Sequence, residues 1–179
     1  YEKTQNNTIA MPPVADSGDL GTMGYACEVL KYFKPACLFV NLTGVDSCHS
    51  SFTSYLAALH RADHGVGHLW NYIQNEIPEM AGNTMIIATP ECGRNDNPNN
   101  IIDDNNWRAY DHSDTNATRI WSLMAGPDVP SGLVIGSNDN PIGQATDTMM
   151  TAADVLGVKP EVQTAGLVEQ NTVSLFDYL

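Results

Sequence analysis

Short apolar runs alternate with segments of helical period along this chain, and that alternation constrains its fold more than any other feature. Gly18–Phe33 carries Leu20, Met23, Cys27, Leu30 and Phe33 at spacings of three or four, the pattern of a helix with one buried stripe. Asp16 or Ser17 is placed to cap it, and Pro35 to end it. Ala36–Val40 follows as a continuous apolar run, as expected of a strand covered on both faces. Ser50–Ile77 is the longest periodic segment: Phe52, Leu56, Leu59, Val66, Trp70, Ile73 and Ile77 share one face, and Pro78 stops it. Thr84–Thr89 and Ile120–Ala125 read as second and third buried strands. Gln144–Leu156 reads as a last helix, with Met149, Met150, Ala153 and Leu156 on its apolar side and Gly157 just past its end. The apolar tail Ser174–Leu179 is suited to dock on the body. This order predicts an α/β fold, a mostly parallel sheet with helices on both faces. Residues 1–16 are polar, contain Pro12-Pro13 and lack periodicity. They read as an N-terminal arm on a single α/β domain spanning 17–179.

The charge balance narrows the partners. Eight Lys and Arg against 21 Asp and Glu leave a net charge of −13. Such a surface repels phosphate backbones and anionic lipid heads, which argues against binding nucleic acid or a membrane surface. No apolar run is long enough for a membrane span, and no signal peptide is legible. The first residue is Tyr1, so the chain reads as processed or as part of something larger. Cys27, Cys37, Cys48 and Cys92 form no paired CxxC units, which disfavours a structural zinc knuckle and leaves a disulfide and free thiols both open.

In a parallel sheet, ligands gather beyond the carboxyl ends of the strands. Gly44–His49 follows the first expected strand and Pro90–Arg94 the second, while Tyr110–Asp114 lies in the long loop before the third. These clusters offer carboxylates and imidazoles, the usual ligands of zinc or manganese. A loop as long as Pro90–Ala117 is more than a connector. Asp46, His49, Glu91 and His112 are therefore the candidate metal ligands. Helix capping is the competing use of Asp46 and His49, and a local ion pair that of Glu91 and Arg94.

Two other features carry less. His60, His64 and His68 recur every fourth residue but lie off the apolar stripe, as a solvated helix face would. Asp63 falls between Leu59 and Val66 on the expected apolar side, where a carboxylate needs hydrogen-bond partners. Asn6, Asn41 and Asn116 open glycosylation-type triplets, which chance explains in so Asn-rich a chain.

The segments Leu30–Leu42, Asp46-Ser47-Cys48-His49, His112 with Ile120–Pro127, and Gln144–Gly157 together resemble the C-terminal half of the alkaline phosphatase superfamily, which includes phosphodiesterases, sulfatases and cofactor-independent phosphoglycerate mutases. Glu91-Cys92-Gly93-Arg94 is similar to a Glu-aromatic-Gly-Arg motif in a subgroup of bacterial proteins of that superfamily. The resemblance implies an alkaline-phosphatase-like core and one divalent metal held by Asp46, His49 and His112. It also implies a small anionic phosphate or sulfate ester as substrate. The family's second metal is usually held by an Asp-His pair where Glu91-Cys92 stands here. Its Ser or Thr nucleophile lies in an N-terminal half that would come from the rest of a parent protein, and the periplasm or cell exterior is the implied compartment. The alternative is a domain of the same fold that binds or scaffolds without catalysis.

Overall fold

The computed structural model describes residues 18–179. The expected arm at 1–16 and the capping residues Asp16 and Ser17 lie outside them. The chain divides into two compact units, residues 18–84 with 94–114 and residues 85–93 with 115–179.

In the first unit, helix α1 (Gly18–Phe33) buries Leu20, Met23, Cys27 and Leu30, as their spacing predicts, while Phe33 is exposed. Helix α2 (Phe52–Glu76) starts at Ser51, whose side chain accepts the Ser54 N–H at 3.1 Å. Its buried positions are Ala58, Gly65, Leu69 and Ile73. This stripe is rotated from the expected one, and Leu56 and Leu59 are 46% and 40% exposed. Gly65 sets the rotation. A Cβ there would lie 3.0 Å from Met23 Cγ, so the close approach of the two helices runs over a glycine. Asp63 consequently faces solvent and needs none of the buried partners expected for it. Burying Leu20 and Ile73, each 1% exposed, contributes roughly 2–3 kcal/mol apiece.

A 3-10 turn, Gly44–His49, precedes α2 and packs on it, with Cys48 of the turn and Ala58 of the helix both fully buried. Residues 94–114 then make a folded excursion closed by main-chain bonds, from Asn95 N to Asp111 O (2.7 Å), Asn99 N to Ala109 O (2.9 Å) and Ala109 N to Ile101 O (3.0 Å). Asparagine and aspartate side chains complete it. Asn95 Oδ1 accepts the Ser113 and Asp114 N–H groups, and Asp103 accepts those of Asn105 and Trp107. Polar composition is what lets so long a loop hold one shape, because these side chains satisfy the backbone where no ladder does.

The second unit holds the sheet. Strand β1 (Ile86–Ala88) pairs antiparallel with β2 (Leu123–Ala125), Ile87 opposite Met124. Helix α3 (Asp147–Val155) buries Met150 and Ala153, with Gly157 in the left-handed conformation beyond its end. After α3 come helix α4 (Lys159–Thr164) and the 3-10 turn Leu175–Tyr178. The C-terminal tail docks as expected, on the buried carboxylate of Asp147, which accepts from Gln144 N (2.8 Å), Val173 N (3.1 Å) and Tyr178 Oη (2.9 Å).

The expected mostly parallel sheet with helices on both faces, the alkaline-phosphatase-like core, is overturned. The described residues are largely helical and contain one two-stranded antiparallel sheet. A parallel pair needs a crossover, usually a helix, between its strands. The chain between β1 and β2 forms no α-helix and returns antiparallel. Ala36–Val40, expected as the first strand, joins no ladder, and Phe39 is 88% exposed. No helix among the described residues is long and apolar enough to cross a membrane.

Candidate metal centre

The turn that carries Asp46 and His49 is held from a distance. Asp19, buried in the first turn of α1, accepts the Thr43 and Gly44 N–H groups, each at 3.0 Å. A Cβ at Gly44 would land on Asp19 Oδ2, so any larger residue there would force that carboxylate to shift. Arg94 braces the same turn by donating from Nη2 to Val45 O at 2.9 Å, and its guanidinium lies over the Tyr55 ring. The 94–114 excursion adds Tyr110 N to Cys48 O (3.1 Å) and Asn99 Nδ2 to His49 O (3.1 Å). Asp103 ties the excursion to the start of α2 by accepting the Thr53 N–H at 2.8 Å. Desolvation opposes ionisation of Asp103, but the amides of Thr53, Trp107 and Asn105 outweigh it and hold its carboxyl down at about 2. Its contribution to stability is present above the ordinary carboxylate value and lost as pH falls through about 2. Asp103→Ala is expected to lower the melting temperature at neutral pH by several degrees, and by little near pH 2.

These braces bring His112, on the return arm of the excursion, beside the turn. The His49 and His112 rings lie edge to face with centroids 4.6 Å apart. One ligand atom from each of Asp46, His49 and His112 falls in a group within 4.8 Å, with Asp46 and His112 exposed and His49 half-buried. His49 Nε2 is 3.0 Å from Asp46 Oδ1. Two ligands on a tetrahedral zinc with bonds near 2.0–2.1 Å stand about 3.3 Å apart. The His49–Asp46 separation is that of a hydrogen bond, a few tenths of an ångström short of this spacing, and both it and the wider spacing lie within reach of exposed side chains. One carboxylate and two imidazoles suit zinc or manganese.

His49 Nδ1 meets Asp111 Oδ1 at 2.7 Å, so both ring nitrogens face carboxylates. The Asp111 hydrogen bond, with a smaller part from Asp46, raises the His49 pKa above 6.5 against the opposing effect of burial. The same bond holds Asp111 below its ordinary value. Arg94 Nη2 lies 3.7 Å from Asp46 Oδ1.

Three of the four ligands expected from sequence, Asp46, His49 and His112, therefore converge in the first unit. Glu91 belongs to the second unit, where it is exposed and takes the Cys92 thiol at 4.0 Å. Cys27, Cys37, Cys48 and Cys92 form no disulfide, and Cys27 and Cys48 are buried; burial pushes the Cys27 thiol up to about 11 and raises that of Cys48. No ligand group of three forms around His60, His64 and His68 among the described residues. Sequence reasoning missed Asp19, Asn99 and Asp111 as parts of the site. Asp111 had a signal, since it stands next to His112, whereas Asp19 reads locally as an ordinary acid in a helix's first turn. Comparison with family models, with curated proteins and with solved structures finds no match to the chain.

Proposed function

We propose that the first unit holds a divalent cation, zinc or manganese, between Asp46, His49 and His112, and that it serves hydrolysis of phosphate or sulfate esters. The observation that carries this is the convergence of those three ligand atoms within 4.8 Å from segments more than sixty residues apart in sequence. Three protein ligands leave coordination positions open toward solvent, the arrangement of catalytic rather than structural sites. A cation bound there would polarise an ester oxygen and lower the pKa of a bound water. Asp46 supplies the negative charge, His112 and His49 the neutral donors, and Arg94 braces the Asp46 turn. On the superfamily likeness, a Ser or Thr nucleophile would come from a parent protein's other half, and the substrate would be a small anionic ester.

Isothermal titration of the chain with zinc should show a saturable site. Asp46→Ala and His112→Ala should each weaken it by more than the ~10–100-fold that an outer-shell partner carries. Unchanged titration curves for both variants would remove the metal reading. The absence of a parallel-sheet core among the described residues favours a second reading, a metal-dependent binding module without turnover. Hydrolysis of a nitrophenyl phosphate or sulfate by the zinc-loaded full-length gene product, lost in His112→Ala, decides for the enzyme; zinc binding with no turnover by that product decides for the module.

Zinc must displace the proton on His49 Nε2. Since the two flanking carboxylates raise that pKa, affinity should begin to fall while the pH is still above 6.5, and then drop about tenfold per unit. Titrations at stepped pH measure this. Without metal the sign reverses: the charged His49 stabilises the fold below 6.5, and that contribution is lost as pH rises through its raised value.

A further inference from the structure

We infer that Asp111, held by Asn99, is the positioning residue that makes His49 an Nε2 ligand; this rests on the metal reading above. An imidazole can present either nitrogen to a cation, and the hydrogen bond made by the other decides which. Asp111 Oδ1 stands 2.7 Å from His49 Nδ1, on the side of the ring away from Asp46. A carboxylate there keeps a proton on Nδ1 and leaves the Nε2 lone pair for the cation. It also orients the ring and raises its basicity as a ligand. Asn99 fixes the pair from behind. Its Nδ2 donates to His49 O at 3.1 Å and lies 3.5 Å from Asp111 Oδ2, while its Oδ1 accepts the Ile101 N–H at 2.9 Å. One amide thus ties the main chain of the ligand to the carboxylate that orients it. Asp111 sits one residue before His112, so a single stretch of chain delivers both a ligand and the positioning group of the other histidine.

The test uses the intact chain and zinc alone. Asp111→Asn keeps size and shape but removes the charge, and its amide can turn an N–H toward Nδ1. Zinc affinity should fall about 10–100-fold, while Asp111→Glu, which restores a carboxylate, should recover part of the loss. Nitrogen-15 chemical shifts of His49 give a readout that a packing defect would not produce. In the zinc-loaded wild type Nδ1 is protonated and Nε2 metal-bound, and Asp111→Asn should broaden or exchange that pattern. Wild-type affinity and an unchanged His49 tautomer in Asp111→Asn would overturn the inference and leave the metal reading standing. Failure of the wild-type chain to bind zinc would overturn both.

Discussion

Gly44→Ala is expected to destabilise the first unit by about 2–3 kcal/mol and to weaken zinc binding with it. The new methyl would land on Asp19 Oδ2 and lie 3.4 Å from the Cβ of the fully buried Ala58, so it has nowhere to move. The Asp19 carboxylate must turn away instead. It then gives up two charge-assisted bonds, to Thr43 N and Gly44 N, at ~1.5–3 kcal/mol each, with water replacing part of the loss on the partly buried main chain. Asp46 and His49 ride on the same turn, which then keeps only its bonds to Arg94, Asn99 and Tyr110, so their separation is less tightly set. Urea unfolding and zinc titration measure the two effects. A double-mutant cycle isolates the cause: once Asp19 is alanine the clash disappears, and Asp19→Ala with Gly44→Ala should be no less stable than Asp19→Ala alone. An unchanged unfolding midpoint in Gly44→Ala would show that the carboxylate does not hold the turn.

Asp147→Ala should unfold or loosen the second unit, at about 3–5 kcal/mol. Asp147 is fully buried and accepts three hydrogen bonds, two from main-chain N–H groups and one from Tyr178. Alanine strands all three donors and leaves a void. The effect should spread along the tail, because Thr151, one turn on in α3, accepts the Leu175 N–H at 2.7 Å, and Ser174 caps the final 3-10 turn. Tyr178→Phe removes one donor and should cost about 1 kcal/mol. Hydrogen exchange at the Val173 and Leu175 amides reports the docking. Slow exchange persisting in Asp147→Ala would mean that something else holds the tail.

Both residues illustrate how far the chain could be read before its structure. The buried stripe of α1, the long helix expected over Ser50–Ile77 and the helix ending before Gly157 follow from spacing and capping chemistry, which act within a few residues, while the docking of the tail was expected from its apolar composition. The pairing of the strands did not follow. An apolar run says that a segment can be buried, not what lies beside it. Ala36–Val40 has the composition of a central strand and no ladder partner, while Thr84–Thr89 and Ile120–Ala125 pair only over three residues each, antiparallel. The rotated stripe of α2 has the same origin: Gly65 looks like a gap in an apolar face until Met23 of another helix fills it.

Sequence alone determined which residue types could hold a cation and named Asp46, His49 and His112, and Glu91 besides, for it, because carboxylate and imidazole are ligands by their chemistry wherever they stand. Tertiary structure alone decided that these three meet, that Asp19 and Gly44 fix the turn, and that Asp111 takes the second nitrogen of His49. Those contacts join positions 19 with 44 and 49 with 111. Hydrogen bonds and ligand geometry act over about 3 Å, and only the folded chain brings positions so distant in sequence to that range.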